Sequence, residues 1–557
     1  MASLISELGR RKVYRAAAFY AASAWLLVQV VTQVSPYFDL PNWSVRLLIV
    51  VLVAGFPIVI VVAWLYEWTP TGWRRESEPV AAPTRVETGP AHTVRPIAAA
   101  PLPTDRSIAV LPFADMSEGR DQEYFSDGLA EELLNLLAQV PQLRVISRTS
   151  SFSFKGRNVD VATIASVLNV ANVLEGSVRK AGNTLRVTAQ LIRAADSSHI
   201  WSQTFSRELT DVFAVQDEIA GAVVAALKVK LLPSQHVTSL HRTSNTEAYD
   251  QYLLGQNIFR RARYDDWQRA VTAFRRATEL DPDYAAAYAG LATAQASVAD
   301  YARSPEEKAV GKQQALASAE RAIALAPDLA DGYVVRAQLR YRGSWDWNGA
   351  VADFQRALAL EANKPEVLIG YSLVLYILGR LDEAVVVGRK SIEGDPLSAY
   401  AWTMYGTLLW RIEHIADAMA AYGRALQISP DSSFARFLLG MLELEQGRPE
   451  AALDHVRRAG ESYRQAGIAM AEHTLGHAAA SQSALDELEA KYATGFAYQI
   501  AQVHAWRGEN EAALDWLERG CEQRDSGVAR LRGDSFFKGL RSHPRYKLLV
   551  QRLGFPD

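Results

Sequence analysis

One cysteine, Cys521, stands in 557 residues. It excludes an internal disulfide and any site built from several thiolates, and a lone buried thiol is its expected role. Charge of one sign is equally scarce: 59 Lys and Arg against 62 Asp and Glu leave a net charge of -3. That supplies no global field to attract nucleic acid, and no nucleic-acid partner is expected. The sequence also lacks GxxxxGKS, GxxxxGKT, HExxH, GxSxG and CxxC, and shows no paired metal-binding aspartates of the kind a nucleotide cyclase needs. No enzyme activity, cofactor or catalytic residue is expected.

Three polar groups could still carry chemistry. His473 and His477 are four apart on one prospective helix face, but without a third ligand they read as surface or packing residues, and no metal is expected. Asp121, Glu123, Asp127, Glu131 and Glu132 could orient a cation; at a helix start they read instead as carboxylates meeting the helix dipole. Ser147 to Ser153, with Arg148, Lys155 and Arg157, suits either a phosphate group or a polar edge strand.

What is present in quantity is apolar, 49% of the chain, enough to fill the cores of several domains. Two uninterrupted apolar runs, 16–34 and 47–66, are each long enough to cross about 30 Å of hydrocarbon. Arg10, Arg11, Lys12 and Arg15 precede the first, and Arg74 and Arg75 follow the second. The loop between them offers only Arg46. This pattern predicts a two-helix transmembrane hairpin over 1–75 with both ends facing the cytoplasm, and so contact with membrane lipid. Trp43, Trp64, Trp68 and Trp73 fall near the boundaries, and Pro57 would kink the second span. Gln29, Thr32 and Gln33 could bond a neighbouring helix, which leaves room for homo-oligomerisation.

Residues 76–105 form a Pro- and Ala-rich linker. Order resumes at SIAVLPF, a buried strand from Ser107. DGLAEELLNLLAQVP then reads as a helix with Asp127 as N-cap and Leu129, Leu133, Leu136 and Leu137 on one face. LRVISRTSSFSFKG reads as a strand and VDVATIASVLNV as a helix. NVLEGSVRKAGNTLRVTAQLIRA reads as two strands turning at Ala181-Gly182-Asn183, HIWSQTFSR as another, and VFAVQDEIAGAVVAAL as a closing helix. The alternation describes a small α/β domain over 106–235.

YFSDGLAEELLNLLA, VLEGSVRKAGNTLRVTAQLI, HIWSQTFSR and DVFAVQDEIA resemble the TolB-amino-terminal-like domain, and SELGRRKVYRAAAFYAASAWLL is similar to the membrane hairpin that precedes it in some bacterial relatives. Many relatives fuse the domain to an adenylate cyclase or a winged-helix output domain. Only about a dozen residues precede the first span here, so no output domain is expected ahead of it.

Ala350, Ala384, Ala418 and Ala452 stand 34 residues apart. Around them, residues 399–432 place Trp402, Tyr405, Gly406, Ala418, Tyr422, Ala425 and Pro430 at the tetratricopeptide positions. Units 331–364, 365–398 and 433–466 match less fully, and two more are marked by Ala270, Phe274, Ala277 and Pro282 and by Ala315, Ala322 and Pro327. The 45-residue step between those two prolines exceeds the period by 11, which places an insertion near YARSPEEKAVGKQQ. The resemblance implies an all-α solenoid over 245–530, weakening past 467, with 531–557 as its cap.

Tetratricopeptide geometry implies a concave groove lined by Val335, Leu339, Arg342, Ile369, Leu373, Tyr376, Tyr400, Thr403, Thr407, Trp410, Arg411, Phe434, Phe437 and Met441. Its apolar, aromatic make-up suits an amphipathic helix or extended apolar segment of a protein or peptide partner. The whole chain therefore reads as a multidomain scaffold or sensory protein of a bacterial inner membrane, with its soluble domains cytoplasmic. Relatives with a single span place these domains in the periplasm, which is the alternative. Two other functions remain open: a regulatory partner of a separately encoded cyclase or transcription regulator, and a small-ligand-binding signalling protein.

Overall fold

The computed structural model describes residues 105–119, 122–140, 142–182, 184–208, 212–227, 243–302 and 304–556, together with Val28, Gln29, Leu52, Phe56, Tyr66–Thr69 and Gly72–Arg75. The chain divides into two units, Met1–Val94 and Arg95–Asp557. In the first, Tyr66–Thr69 pairs antiparallel with Gly72–Arg75, setting Trp68 opposite Trp73. The expected second span thus runs into a strand at Tyr66. Apart from the helical Val28, Gln29, Leu52 and Phe56 and the strand residue Tyr66, both apolar runs lie outside the described residues, as does the linker up to residue 104. Among the described residues no helix is long and apolar enough to cross a membrane.

The second unit opens with the α/β domain. Strand β1 (Ser107–Val110) is buried at every position because it runs between two parallel neighbours, β3 (Arg144–Val145) and β4 (Asn172–Ala181). The short β2 (Ala114–Asp115) also pairs parallel with β4, and β5 (Thr184–Arg193) and β6 (His199–Glu208) extend the sheet antiparallel. Ala181 stands opposite Thr184 across the expected turn, with Gly182 at φ 57°. Helix α1 (Glu123–Ala138) lays Leu129, Leu133, Leu136 and Leu137 into the core. Each such side chain contributes about 1.5–3 kcal/mol.

Two local expectations are corrected. Helix α1 begins at Glu123, four residues before Asp127, because Tyr124 and Phe125 add apolar contacts and the Asp115 carboxylate accepts the Gln122 and Ser117 amides at its start. Asp127 is therefore inside the helix, buried, and paired with Lys155 at 2.5 Å. LRVISRTSSFSFKG holds only the two-residue strand β3 and then turns into the short helix α2 (Arg148–Phe152). Its serines bond backward, Ser153 to the Ser150 carbonyl at 2.7 Å, and so compete with a ladder. Helices α3 (Val161–Leu168, capped by Asp160) and α4 (Val212–Ala226) complete the domain.

Eight helix hairpins follow: α5/α6 (Thr246–Phe259, Tyr264–Leu280), α7/α8 (Ala285–Asp300, Pro305–Leu325), α9/α10 (Ala330–Leu339, Trp347–Leu360) and α11/α12 (Pro365–Ile377, Leu381–Gly394) form the first half. The second half is α13/α14 (Ala399–Arg411, Ile415–Ile428), α15/α16 (Ser433–Glu445, Pro449–Val456), α17/α18 (Glu461–Thr474, Ala478–Tyr492) and α19/α20 (Ala497–Trp506, Asn510–Glu522). The four register alanines are fully buried on the second helices of the third to sixth hairpins. A Cβ at Gly406 would stand 3.0 Å from the Tyr422 ring and 3.3 Å from the Ala418 carbonyl, so the first helix of that hairpin can approach only as glycine. The insertion lengthens α8 to 21 residues. Past 467 the repeats continue although the sequence pattern fades, because Ala466, Ala469, Ala484, Leu485 and Leu488 keep the core between the helices apolar.

The α/β domain and the solenoid share one core. Tyr249 of α5 packs edge-on against Phe125 and Phe213, at 6.4 and 4.8 Å between ring centres, and takes a 2.9 Å bond from the Gln216 side chain on its hydroxyl. A second joint lies at the turn after α12. There Ser147 donates from its amide to the Gly394 carbonyl at 2.9 Å, and the Ser150 hydroxyl donates to Asp395 at 2.5 Å while accepting the Leu397 amide at 2.8 Å.

Candidate functional site

The inner face of the repeats is built by the first helices of three successive hairpins. Tyr376 and Trp410 stand one 34-residue period apart, as do Thr407 and Met441, so the solenoid sets them side by side. Tyr376, Thr407, Trp410, Arg411, Phe434, Phe437 and Met441 surround one enclosed space of about 30 Å³, room for about one water molecule. The other expected lining residues stand outside that space, Tyr400 and Arg342 near each other and Tyr400 near Arg530 of its lining. Val335 is buried against Ala292 and Ala319, and Leu339 is buried near the end of α9. Thr403 is turned back to donate to the Ala399 carbonyl at 2.7 Å. Ile369 and Leu373 pack half-buried against neighbouring helices. Arg342 bonds the Tyr341 hydroxyl at 2.8 Å and lies 3.7 Å from Asp300, and Tyr400 is 48% exposed.

The face around Trp410 is not open. After α20 the Asp525 carboxylate accepts the Tyr498 and Gly527 amides, at 3.0 and 2.8 Å, and turns the chain back along the inside of the solenoid. Two 3-10 segments, Ser526–Gly533 and Ser535–Leu540, run there before the last helix α21 (Pro544–Arg552). Gly533 is pressed so closely that a Cβ would stand 3.2 Å from the Tyr376 ring. Phe536 enters edge-on between Trp410 and Trp506, with ring centres at 6.3 and 5.5 Å.

The polar contacts are as specific as the rings. Asp534 accepts the Tyr498 hydroxyl at 2.5 Å, the Gln502 amide at 2.7 Å and its own turn's Phe536 amide at 3.0 Å, with Arg411 3.7 Å away. Ser535 accepts from Arg411 at 2.7 Å and donates to Glu445, whose second oxygen takes the Trp410 indole at 2.8 Å. Burial works against the Arg411 charge, but Tyr376, Asp534, Glu445 and Tyr498 outweigh it and hold the pKa above its ordinary value. Burial, then the neighbouring Asp534, pushes the Tyr498 hydroxyl far up.

Sequence reasoning missed Glu445, Gln502, Asp534, Ser535 and Phe536. A polar and aromatic cluster, Asp-Ser-Phe-Phe, in the stretch read only as a cap was the available signal. Several of the other sequence candidates take structural roles, while Asp121 lies outside the described residues. Lys155 bridges Glu123 and Asp127 at 2.7 and 2.5 Å, and Glu131 binds Arg148 at 3.0 Å and Arg260 of the first hairpin. Burial raises the Asp127 carboxyl. His477 bonds Glu472 at 2.7 Å across a hairpin turn, a link that Arg448 to Glu443 and His504 to Glu509 repeat in neighbouring hairpins. Among the described residues no group of three or more His, Cys, Asp or Glu could hold a metal ion. Cys521 is buried, and burial pushes its thiol up to about 11.

Residues 104–222 match the family described as HilA/YgeH-like transcriptional regulator, second domain, and residues 339–399 and 403–466 match the tetratricopeptide repeat. Over 228 residues the chain is 36% identical to "Putative adenylate cyclase 3" of Rhizobium meliloti (strain 1021), covering 41% of this chain and 36% of that protein. Over 115 residues it is 27% identical to a peroxisomal targeting signal receptor of Eremothecium gossypii, covering 21% of this chain and 20% of that one. The chain thus spans well under half the length of either relative. Solved structures give low overall similarity. A tetratricopeptide protein of Thermus thermophilus superposes with a TM-score of 0.30 at 20% identity, covering 35% of this chain and 99% of its own. PilW, a type IV pilus biogenesis factor, gives 0.32 at 19% identity, with 38% and 98% covered. The chain carries tetratricopeptide repeats behind a small α/β domain similar to the second domain of HilA/YgeH-like regulators.

Proposed function

We propose that this protein is a membrane-anchored scaffold or sensory protein that holds a protein partner on the inner face of its repeats. One observation carries the reading: seven side chains from three successive hairpins converge on a single aromatic and cationic face. Solenoids of this kind produce binding surface rather than chemistry. The apolar runs 16–34 and 47–66, with arginines outside them, support an inner-membrane hairpin and a cytoplasmic soluble part. The TolB-amino-terminal-like resemblance belongs to the same reading.

A second reading makes the chain the regulatory partner of a separately encoded cyclase or transcription regulator. The names of the Rhizobium relative and of the HilA/YgeH family favour it.

Photo-crosslinking in intact bacterial membranes tests the main reading. A photoreactive phenylalanine replacing Tyr400, which is 48% exposed on the first helix of the fifth hairpin, is expected to give one discrete protein adduct. The same residue at Tyr264, 40% exposed on α6, is expected to give none. Equal yields from both positions, or recovery of the chain in the soluble fraction, would overturn it. An adduct with a cyclase or DNA-binding protein would select the second reading.

A further inference from the structure

The segment that covers the inner face shows what that face recognises. Asp534, Ser535 and Phe536 point into it, whereas Phe537, Leu531 and Val528 of the same stretch pack outward into the core of the last hairpin. The two sides of the segment therefore have separate work: one closes the end of the solenoid, the other occupies a site. That site is assembled for three features at once. Tyr498, Gln502 and Arg411 converge on a carboxylate, Arg411 and Glu445 on a hydroxyl, and Trp410 and Trp506 on an aromatic ring two residues after the carboxylate.

The charge on the face is not fully answered from within. Arg411 keeps a buried Nε without a hydrogen-bond partner, whereas Arg530, which also lines the space, belongs to the covering segment itself. With Asp534 withdrawn, Arg411 would keep Glu445 as a neighbouring carboxylate but lose the acceptor on which Tyr498 and Gln502 also converge. An incoming segment that brings one placed carboxylate together with an aromatic ring matches this face better than the purely apolar segment its rings alone suggest.

We propose that the inner face of the fourth to sixth hairpins is an acidic-aromatic peptide site filled from within. The protein partner that takes it carries a carboxylate residue two positions before a phenylalanine or tyrosine, and displaces residues 533–536. The inference rests on the partner-binding reading above and adds the partner's chemistry. A tethered occupant competes at high effective concentration, so it lowers the apparent affinity of any partner by the fraction of time the site stands free.

The test uses the full chain in detergent or nanodiscs and a fluorescent synthetic peptide of residues 530–540. In the chain, Ser535→Ala with Phe536→Ala weakens the internal occupant while keeping Asp534 as a partner for Arg411. The peptide is expected to bind this variant at least roughly tenfold more tightly than the wild type. Binding should vanish when the peptide carries Asp534→Asn and Phe536→Ala, or when Trp410→Ala is added to the chain. Should the double variant unfold, hydrogen exchange on the wild type decides instead: saturating peptide is expected to speed amide exchange across 526–540 and nowhere else in the repeats. Equal binding to wild type and variant, no binding to a folded variant, or unchanged exchange would overturn the proposal. Peptide-blocked dimers of the variant would overturn it in favour of a second copy as occupant. Failure here with a persisting crosslinked adduct at position 400 rejects the acidic-aromatic motif alone, whereas peptide binding without any adduct rejects the scaffold reading alone.

Discussion

Arg411 donates to the Ser535 hydroxyl at 2.7 Å across 124 residues of sequence, and lies 3.7 Å from the buried Asp534 carboxylate. One guanidinium therefore ties the fifth hairpin to the segment that follows the last repeat. Arg411→Ala leaves that carboxylate without its cation and is expected to cost roughly 3 kcal/mol in urea unfolding. Arg411→Lys should recover only part, because an ammonium cannot present a planar fork to both acceptors.

Trp347 makes the same connection further back in the solenoid. Its indole donates to the Leu553 carbonyl at 2.8 Å and stacks on Phe555 with ring centres 5.0 Å apart. Trp347→Phe is expected to lose about 1 kcal/mol with the hydrogen bond. Trp347→Ala, which also removes the buried ring, should lose about 3–5 kcal/mol in thermal unfolding. Cleavage by a protease within 541–557 should rise in step.

Ala418 is fully buried against its hairpin partner. Ala418→Leu forces the two helices apart and is expected to destabilise by about 1–3 kcal/mol. Val386→Leu, at an exposed position, should change stability by less than about 0.5 kcal/mol.

These three sites show what could be read in advance. The alanine register and the small residues facing it dictate helix approach within one repeat, so the third to sixth hairpins were legible as repeating units. The α/β strands were legible wherever side-chain alternation and a turn dipeptide agreed, as at Ala181 and Thr184. Helix α2 was not, because its serines make no period and bond to their own backbone. The groove residues were placed by family geometry, and Tyr376, Trp410 and Phe437 do meet. Their cover was illegible for a different reason. Asp534, Ser535 and Phe536 reach Arg411 and Trp410 only after the chain reverses at Asp525, and no local pattern encodes a contact across more than a hundred residues.

The joint between the α/β domain and the repeats should depend on pH. Burial raises the Asp395 carboxyl above its ordinary value of 3.8, against the hydrogen bonds from Ser147 and Ser150. The folded chain then binds that proton more tightly than the unfolded one. Its contribution is fully present below 3.8 and is lost as pH rises through the raised folded value. Asp395→Asn, neutral throughout and still able to accept from Ser150, removes that loss. Its stability relative to wild type is expected to improve from pH 4 to pH 7 in paired urea titrations, and an unchanged difference would contradict the assignment.

Residues 533–536 are packed into the inner face of the repeats as a site occupant, and the contact of Phe536 with Trp410 expresses this most directly. A double-mutant cycle with Trp410→Leu and Phe536→Leu measures it in the full chain. A coupling of about 0.5–1.5 kcal/mol between the two rings is expected. Additive effects, agreeing within about 0.3 kcal/mol, would contradict it.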